Sequence, residues 1–259
     1  MHFYESVEGR IMAMQNTTHA VMAQRHEPGD SLDDFPTPPW ATRALVEHVI
    51  GTEKAAGLHC LEPACGRGYM AVPLGEYFGQ VTATDIALYG FAPPRNFLEY
   101  PVGEDFDWII TNPPFRLAEE FVLHALPRAR RGVAVLVRTV FIESVGRLER
   151  LFSVHPPTSV AQFAERVPMV KGRLDQKAST ATGYAWVVWE KPQPSTTQLR
   201  WIPRCRKELE RQSDYAPEFL MNPAGLQSTQ LNTTPATKQF DLFGGKRDEC
   251  NTGASEAAH

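Results

Sequence analysis

Cysteine is scarce. Four occur in 259 residues, Cys60, Cys65, Cys205 and Cys250, with no Cys-x-x-Cys pair and no metal-ligand spacing. A disulfide scaffold and a zinc-held fold are thereby excluded, no metal site is expected, and reduced thiols in a cytoplasmic setting are the reading that follows. Long apolar runs are also missing. No stretch approaches the length a membrane-spanning helix needs, so no membrane association is expected. The opening Met1-His2-Phe3-Tyr4-Glu5 lacks a basic stretch followed by an apolar core, so no signal peptide is expected. Internal repeats are absent. What the chain does have is 42% hydrophobic residues, enough for one sizeable core with length to spare for tails.

Neither sign of charge dominates the whole chain, whose net charge is −4, but the charges are segregated. Residues 1–125 carry 7 Lys/Arg against 17 Asp/Glu, residues 126–211 carry 16 against 7, and residues 212–259 carry 3 against 6. The middle segment is therefore strongly basic, and one face of the folded chain could hold a polyanion. Ordinary solvated helix faces would give the same counts.

Organisation follows from pattern. Residues 1–30 are polar without periodicity and read as a flexible arm. A helix is expected from Thr37, with Trp40, Ala44, Leu45 and Val49 at helical spacing. Strands are expected at 58–62, 80–84, 107–111, 132–138, 159–165 and 183–190, with helices at 69–78, 116–126 and 141–152 between them. Strand and helix in alternation argue for a mostly parallel sheet covered on both faces. The domain is expected to span 31–192, ending at Glu190-Lys191-Pro192. Residues 193–259 then read as a tail, with a basic segment at 200–211 that suits a short helix and a disordered end from 222.

Three stretches carry chemistry. Ile109-Ile110-Thr111-Asn112-Pro113-Pro114-Phe115 reads as the end of a buried strand running into a stiff turn, since proline cannot donate to a sheet ladder. The prolines fix the direction of the Asn112 side chain and of the neighbouring carbonyls. Acceptors held beside the Phe115 ring suit a planar group bearing an NH2. A proline-punctuated turn without chemistry is the alternative. Upstream, Leu58-His59-Cys60-Leu61-Glu62-Pro63-Ala64-Cys65-Gly66-Arg67-Gly68 is a short strand, an acid and a Gly-x-Gly turn before a helix. That is the form of a nucleotide-type site at the carboxyl end of a parallel strand. The dinucleotide fingerprint is incomplete, with Ala71 at the third glycine position, and no Gly-Lys-Ser/Thr makes a phosphate loop. The next strand ends at Asp85, placed to grip a ribose diol. The pocket thus suits a nucleoside without a pyrophosphate.

In motif order the chain resembles the class I S-adenosylmethionine-dependent DNA methyltransferases that methylate amines, in the gamma arrangement of N6-adenine enzymes, over roughly residues 33–190. The resemblance implies a Rossmann-like α/β fold with a mostly parallel seven-stranded sheet and S-adenosylmethionine as cofactor. Phe35-Pro36-Thr37-Pro38-Pro39 resembles the motif that closes over the methionine end of the cofactor. Glu62, Ala64, Gly66 and Gly68 resemble its glycine-loop motif, and Asp85 its ribose acid. Asn96 and Phe97 stand where the family has Asp-Phe against the cofactor adenine, so the contact there would lack charge. Asn112, Pro113, Pro114 and Phe115 resemble the catalytic motif, with Asn112 also near the cofactor. Asn-Pro-Pro leans towards adenine. A bacterial or phage-encoded, cytoplasmic enzyme acting on DNA is implied.

Little folded chain is expected beyond Trp189, so target recognition falls to the 166–182 loop, the two tails or a partner, with Arg166, Lys171, Arg173 and Lys177 as the expected nucleic-acid contacts. In the tail, Gln239-Phe240-Asp241-Leu242-Phe243 resembles the pentapeptides by which replication proteins bind the bacterial sliding clamp, through Gln239, Leu242 and Phe243. The same residues could instead fold back on the core. Other readings stay open: an RNA base or a protein glutamine as methyl acceptor, or a non-catalytic binding module on the same fold.

Overall fold

The computed structural model describes residues 33–101, 106–193 and 195–220. The arm at 1–30 and the tail beyond 220, with Gln239, Leu242 and Phe243, lie outside the described residues. In chain order the elements are α1 Pro39–Leu45, α2 Thr52–Ala55, β1 His59–Glu62, α3 Ala71–Leu74, β2 Gln80–Ala83, β3 Phe106–Thr111 and α4 Ala118–Ala125. Then come β4 Ala129–Arg138, α5 Val145–Arg147, β5 Ser159–Phe163, β6 Tyr184–Glu190, β7 Gln198–Ile202 and α6 Arg206–Leu209. Among the described residues, no helix is long and apolar enough to cross a membrane.

The seven strands form one sheet in the order β2-β1-β3-β4-β6-β5-β7. All neighbours are parallel except β6, which runs antiparallel to both β4 and β5. Side chains of a strand alternate between faces, and here both faces are apolar because both are covered. Trp108, Ile110, Ala134, Leu136, Trp186 and Val188 pack on one face with α1 and α3. Ile109, Val133, Val135, Val187 and Trp189 pack on the other with α4. This is why the strands read as near-continuous hydrophobic runs. α1 begins on Pro39, where a missing N–H costs nothing, and all seven of its residues are buried.

From β1 the chain passes to β2 on one side and to β3 on the other. The carboxyl ends of these three strands therefore flank a crevice at the point where the strand order reverses, the usual ligand position in such sheets.

The expected domain end at 192 is corrected. β7 pairs with β5 from Ser159↔Gln198 to Phe163↔Ile202, so the sheet continues past that point. The short helix expected across 200–211 is a strand up to Ile202 and a helix only at Arg206–Leu209. Four of the five β7 residues are exposed and only Ile202 is buried, which explains its polar look.

What holds this return in place is a buried charge. Arg43 on α1 is 1% exposed. It donates to both carboxylate oxygens of Asp214 at 2.8 and 2.7 Å, to both of Glu76 at 2.9 and 2.8 Å, and to the Leu209 carbonyl at 2.7 Å. Burial alone would loosen the Arg43 proton, but the two carboxylates outweigh it and raise its pKa. Removing one member of such a cluster leaves a buried charge underpaired. Asp214→Ala should therefore cost about 3–5 kcal/mol in urea unfolding; a loss near that of an exposed pair would show that the return is not anchored here.

Candidate active site

A cleft of roughly 860 Å³, counted out to bulk solvent, opens at the carboxyl ends of β1, β2 and β3. Pro36, Thr37, Glu62, Ala64, Gly66, Asp85, Asn96, Phe97 and Asn112 all line it, so residues up to 76 positions apart in sequence meet around one space. Gly68 is not on the wall. It sits behind the loop at φ +91°, where an added Cβ would fall 2.3 Å from the Phe91 ring. Its role is to let the turn pass that ring. Gly66, at φ +52°, needs the left-handed region for the turn itself.

Asp85 is 8% exposed. Its Oδ2 accepts from Gly66 N at 2.8 Å and its Oδ1 from Ala87 N at 2.8 Å. The acid at the end of β2 thus shapes the glycine turn as well as facing the cleft, and each oxygen keeps a further lone pair. Burial pushes its pKa up against the pull of those amides. Glu62 is 1% exposed, and burial raises its carboxyl pKa to about 8. Asn96 is the cap of the single turn Phe97–Glu99: its Oδ1 accepts from Leu98 N at 3.1 Å and its Nδ2 donates to Glu99 at 2.8 Å. The Asn at this position therefore has a structural job as well as a place on the cleft wall.

The segment 33–37 straps the cleft. Hydrogen bonds and an ion pair tether it. Asp33 Oδ2 accepts from Phe115 N at 2.9 Å, Asp34 Oδ2 accepts from Arg67 Nη2 at 3.1 Å, the Asp34 carbonyl accepts from Gly172 N at 2.7 Å, and the Phe35 carbonyl accepts from Asn112 Nδ2 at 2.9 Å. The last contact decides the chemistry. It fixes the Asn112 amide, whose Oδ1 is buried and has no hydrogen-bond partner. The Thr37 hydroxyl is likewise buried without one. A buried acceptor left unpaired costs about 1–3 kcal/mol, so its presence on a cleft wall marks a place for a donor.

The four residues of the 112–115 motif do not share one space. Asn112 and Pro114 line the main cleft, while Pro113 is buried. Phe115 instead lines a neighbouring cleft of about 400 Å³ with Val137, Arg138, Val140, Phe141 and Arg147. Its ring centre is 5.7 Å from that of Phe35 and 6.5 Å from that of Tyr184. Arg166, Lys171, Arg173 and Lys177 are all exposed, and Arg173 pairs with Asp175 at 3.1 Å. The same loop reaches the site through Met169, whose sulfur lies 3.8 Å from Asn112 Nδ2. Sequence reasoning missed Asp33, Asp34 and Met169. The two acids stood next to a recognised motif, whereas nothing in the sequence marked Met169.

No protein-family model matches the sequence, and no curated protein does either. Solved structures give slight likenesses. A protein of Pyrococcus horikoshii assigned as an RNA methyltransferase shares 14% identity over 64% of this chain and 90% of its own, with TM-score 0.48. One of Listeria monocytogenes assigned as a class I S-adenosylmethionine-dependent methyltransferase shares 13% over 71% and 70%, with TM-score 0.48. A protein of Vibrio vulnificus assigned as the modification subunit of a type I restriction enzyme shares 17% over 74% and 53%, with TM-score 0.49. Likeness this slight carries no argument. The fold class rests on the sheet itself: seven strands, mostly parallel, one antiparallel strand between β4 and β5, and helices on both faces. That is the Rossmann-like class I fold expected from the sequence. Fold and cleft together place one open space at the reversal of strand order, the usual ligand position in such sheets.

The Glu62 carboxyl yields a pH test. The folded chain keeps a proton there that the unfolded chain releases above about 4.5, so stability falls as pH rises from that value towards 8. At about 1.4 kcal/mol per pH unit, the loss is on the order of a few kcal/mol. Glu62→Gln should remove this slope, leaving the variant more stable than the parent at pH 8 in thermal melts. Parallel curves for the two proteins between pH 5 and 8 would contradict it.

Proposed function

We propose that this protein transfers a methyl group from S-adenosylmethionine to an exocyclic amine of a nucleic-acid base, with adenine N6 in DNA as its substrate. The observation that carries the reading is the buried, unpartnered Oδ1 of Asn112, held in place by the Phe35 carbonyl. An acceptor so fixed in a residue of the cleft wall fits an amine on a planar group.

The cleft residues suit the cofactor. Gly66 and Asp85 would meet its ribose and Phe97 and Leu98 its adenine, and Thr37 lines the same space. When bound, S-adenosylmethionine supplies an electrophilic methyl group on a sulfonium.

The chain's own residues have the harder half of the task. An adenine amine is a poor nucleophile because its lone pair is delocalised into the ring. Asn112 Oδ1 accepts one N–H, and the Pro113 carbonyl is the acceptor for the second. Held this way the nitrogen becomes pyramidal, and its lone pair is freed to attack the methyl carbon. The extra proton then leaves to solvent. Orientation and electrostatics do the work, and no strong base is required. A base stacked in a duplex cannot reach such a site, so it must be flipped out or single-stranded. The exposed cations of the 166–177 loop, which enters the site through Met169, favour a polyanion as the carrier of that base.

Incubation with labelled S-adenosylmethionine and unmethylated DNA, with total RNA in parallel, followed by nucleoside mass spectrometry, tests the reading. N6-methyldeoxyadenosine is expected. Label only in RNA moves the substrate, and label in neither rejects nucleic-acid methylation. Asn112→Ala should lower turnover at least a hundredfold, in the range of other fixed catalytic hydrogen-bonding groups, with the cofactor still bound. Asp85→Ala should act first on cofactor affinity, measured by calorimetry; an unchanged affinity would remove Asp85 from the ribose role.

A further inference from the structure

The smaller cleft beside Phe115 has no part in the chemistry above, yet its walls are specific. Two guanidinium groups line it. Arg138, exposed at the end of β4, lies with its Cζ 4.5 Å from the Phe115 ring centre. Arg147, half-buried in α5, lies 4.7 Å from the Phe141 ring centre and donates from Nε to the Phe141 carbonyl at 2.5 Å. No carboxylate lines this cleft, and neither arginine has a carboxylate partner among the described contacts. Arg150, one helical turn on, shows the contrast: its charge is taken by Glu119 at 2.7 and 2.9 Å.

Both guanidinium carbons lie over aromatic rings, and Arg147 also donates to the Phe141 and Val140 carbonyls, so the two groups are held in place without a carboxylate partner among the described contacts. Stacked guanidinium is weakly hydrated and keeps its edge N–H groups for an acceptor in the plane. Val137 and Val140 also line the cleft, with Val140 54% exposed, so the space suits an anion carried on a larger, partly apolar chain better than a free ion. Phe115 is joined to Asn112 through two prolines of stiff backbone, Pro113 and Pro114.

The geometry points to a phosphodiester site: Arg138 and Arg147 hold a phosphate flanking the reacting nucleotide and so fix how far its base reaches towards Asn112. This rests on the proposed methylation of a nucleic-acid base and adds to it a grip on the strand that the exposed 166–177 loop does not provide. Both residues are positioning residues. Because DNA and RNA share the phosphodiester, the site itself does not choose between them.

The test uses single-stranded trinucleotides with a central adenine, in deoxy and ribo forms. Each is made with natural linkages or with neutral methylphosphonates. KM and kcat are measured for the parent and for an R138Q/R147Q double variant. In the parent, the neutral linkages should raise KM about tenfold, the scale of one lost charge-assisted contact. The double variant should show that rise already on natural linkages, and a further change of less than about twofold on neutral ones. An Arg147→Lys variant, which keeps the charge but not the fork, should recover part of the difference. Equal sensitivity of both proteins to the neutral linkages overturns the site while leaving methyl transfer intact. If the double variant melts early, Arg138→Gln alone carries the comparison, because that side chain is exposed. Transfer to none of the trinucleotides or longer nucleic acids by the parent would instead remove the functional reading, and the phosphate site with it. The deoxy and ribo arms show which polymer is used.

Discussion

One hydrogen bond sets the direction of the site's chemistry, that from Asn112 Nδ2 to the Phe35 carbonyl. An amide side chain can present either its donor or its acceptor end. By taking the donor end, the strap leaves the oxygen unpaired on the cleft wall. The surroundings support this choice. Pro113 and Pro114 stiffen the turn, Asp33 holds the Phe115 amide, and Asp34 ties the strap to Arg67 and Gly172. An unsatisfied buried acceptor destabilises the ligand-free fold. The buried Glu62 carboxyl lines the same cleft.

Much of this was legible because the sheet is buried on both faces. Apolar runs such as 107–111, 132–138 and 183–190 gave strands at nearly their observed bounds. The glycine turn and the Asn-Pro-Pro turn marked two of the strand ends that flank the cleft. Legibility failed where burial and sequence pattern parted. β7 exposes Leu199 and Trp201 at 65% and 66%, so its alternation carried no inside-outside signal. Gly68 read as a ligand contact, and the structure shows a clearance for Phe91. Asn96 read as a contact to the cofactor, and it also caps a turn. Met169 reaches Asn112 from a loop whose cations drew the eye instead. These are contacts made across the fold, and a local motif does not show its distant partner.

The Arg43 cluster ties the segment after β6 to α1. α1 follows directly from the strap, and Arg43 joins it to Glu76 after α3 and to Asp214 near the end of the described chain. A charge removed from water this fully is stable only while its partners stay. The return of residues 198–215 is thus part of the platform on which the strap stands, although its composition reads as a tail.

The strap has a further consequence, in the language of linkage. Its carbonyl orients the amine acceptor, while Pro36 and Thr37, the next two residues, line the larger cleft. Any ligand of that cleft that holds these residues down also holds the Asn112 amide in its working orientation. Any amine donor that fastens onto Asn112 likewise reinforces the strap. Two ligands that draw on one closure bind with positive coupling, and the factor by which the first tightens the second must equal the factor by which the second tightens the first. Under the proposed function, cofactor and substrate affinities are therefore not separate properties, and a substitution in the strap alters both.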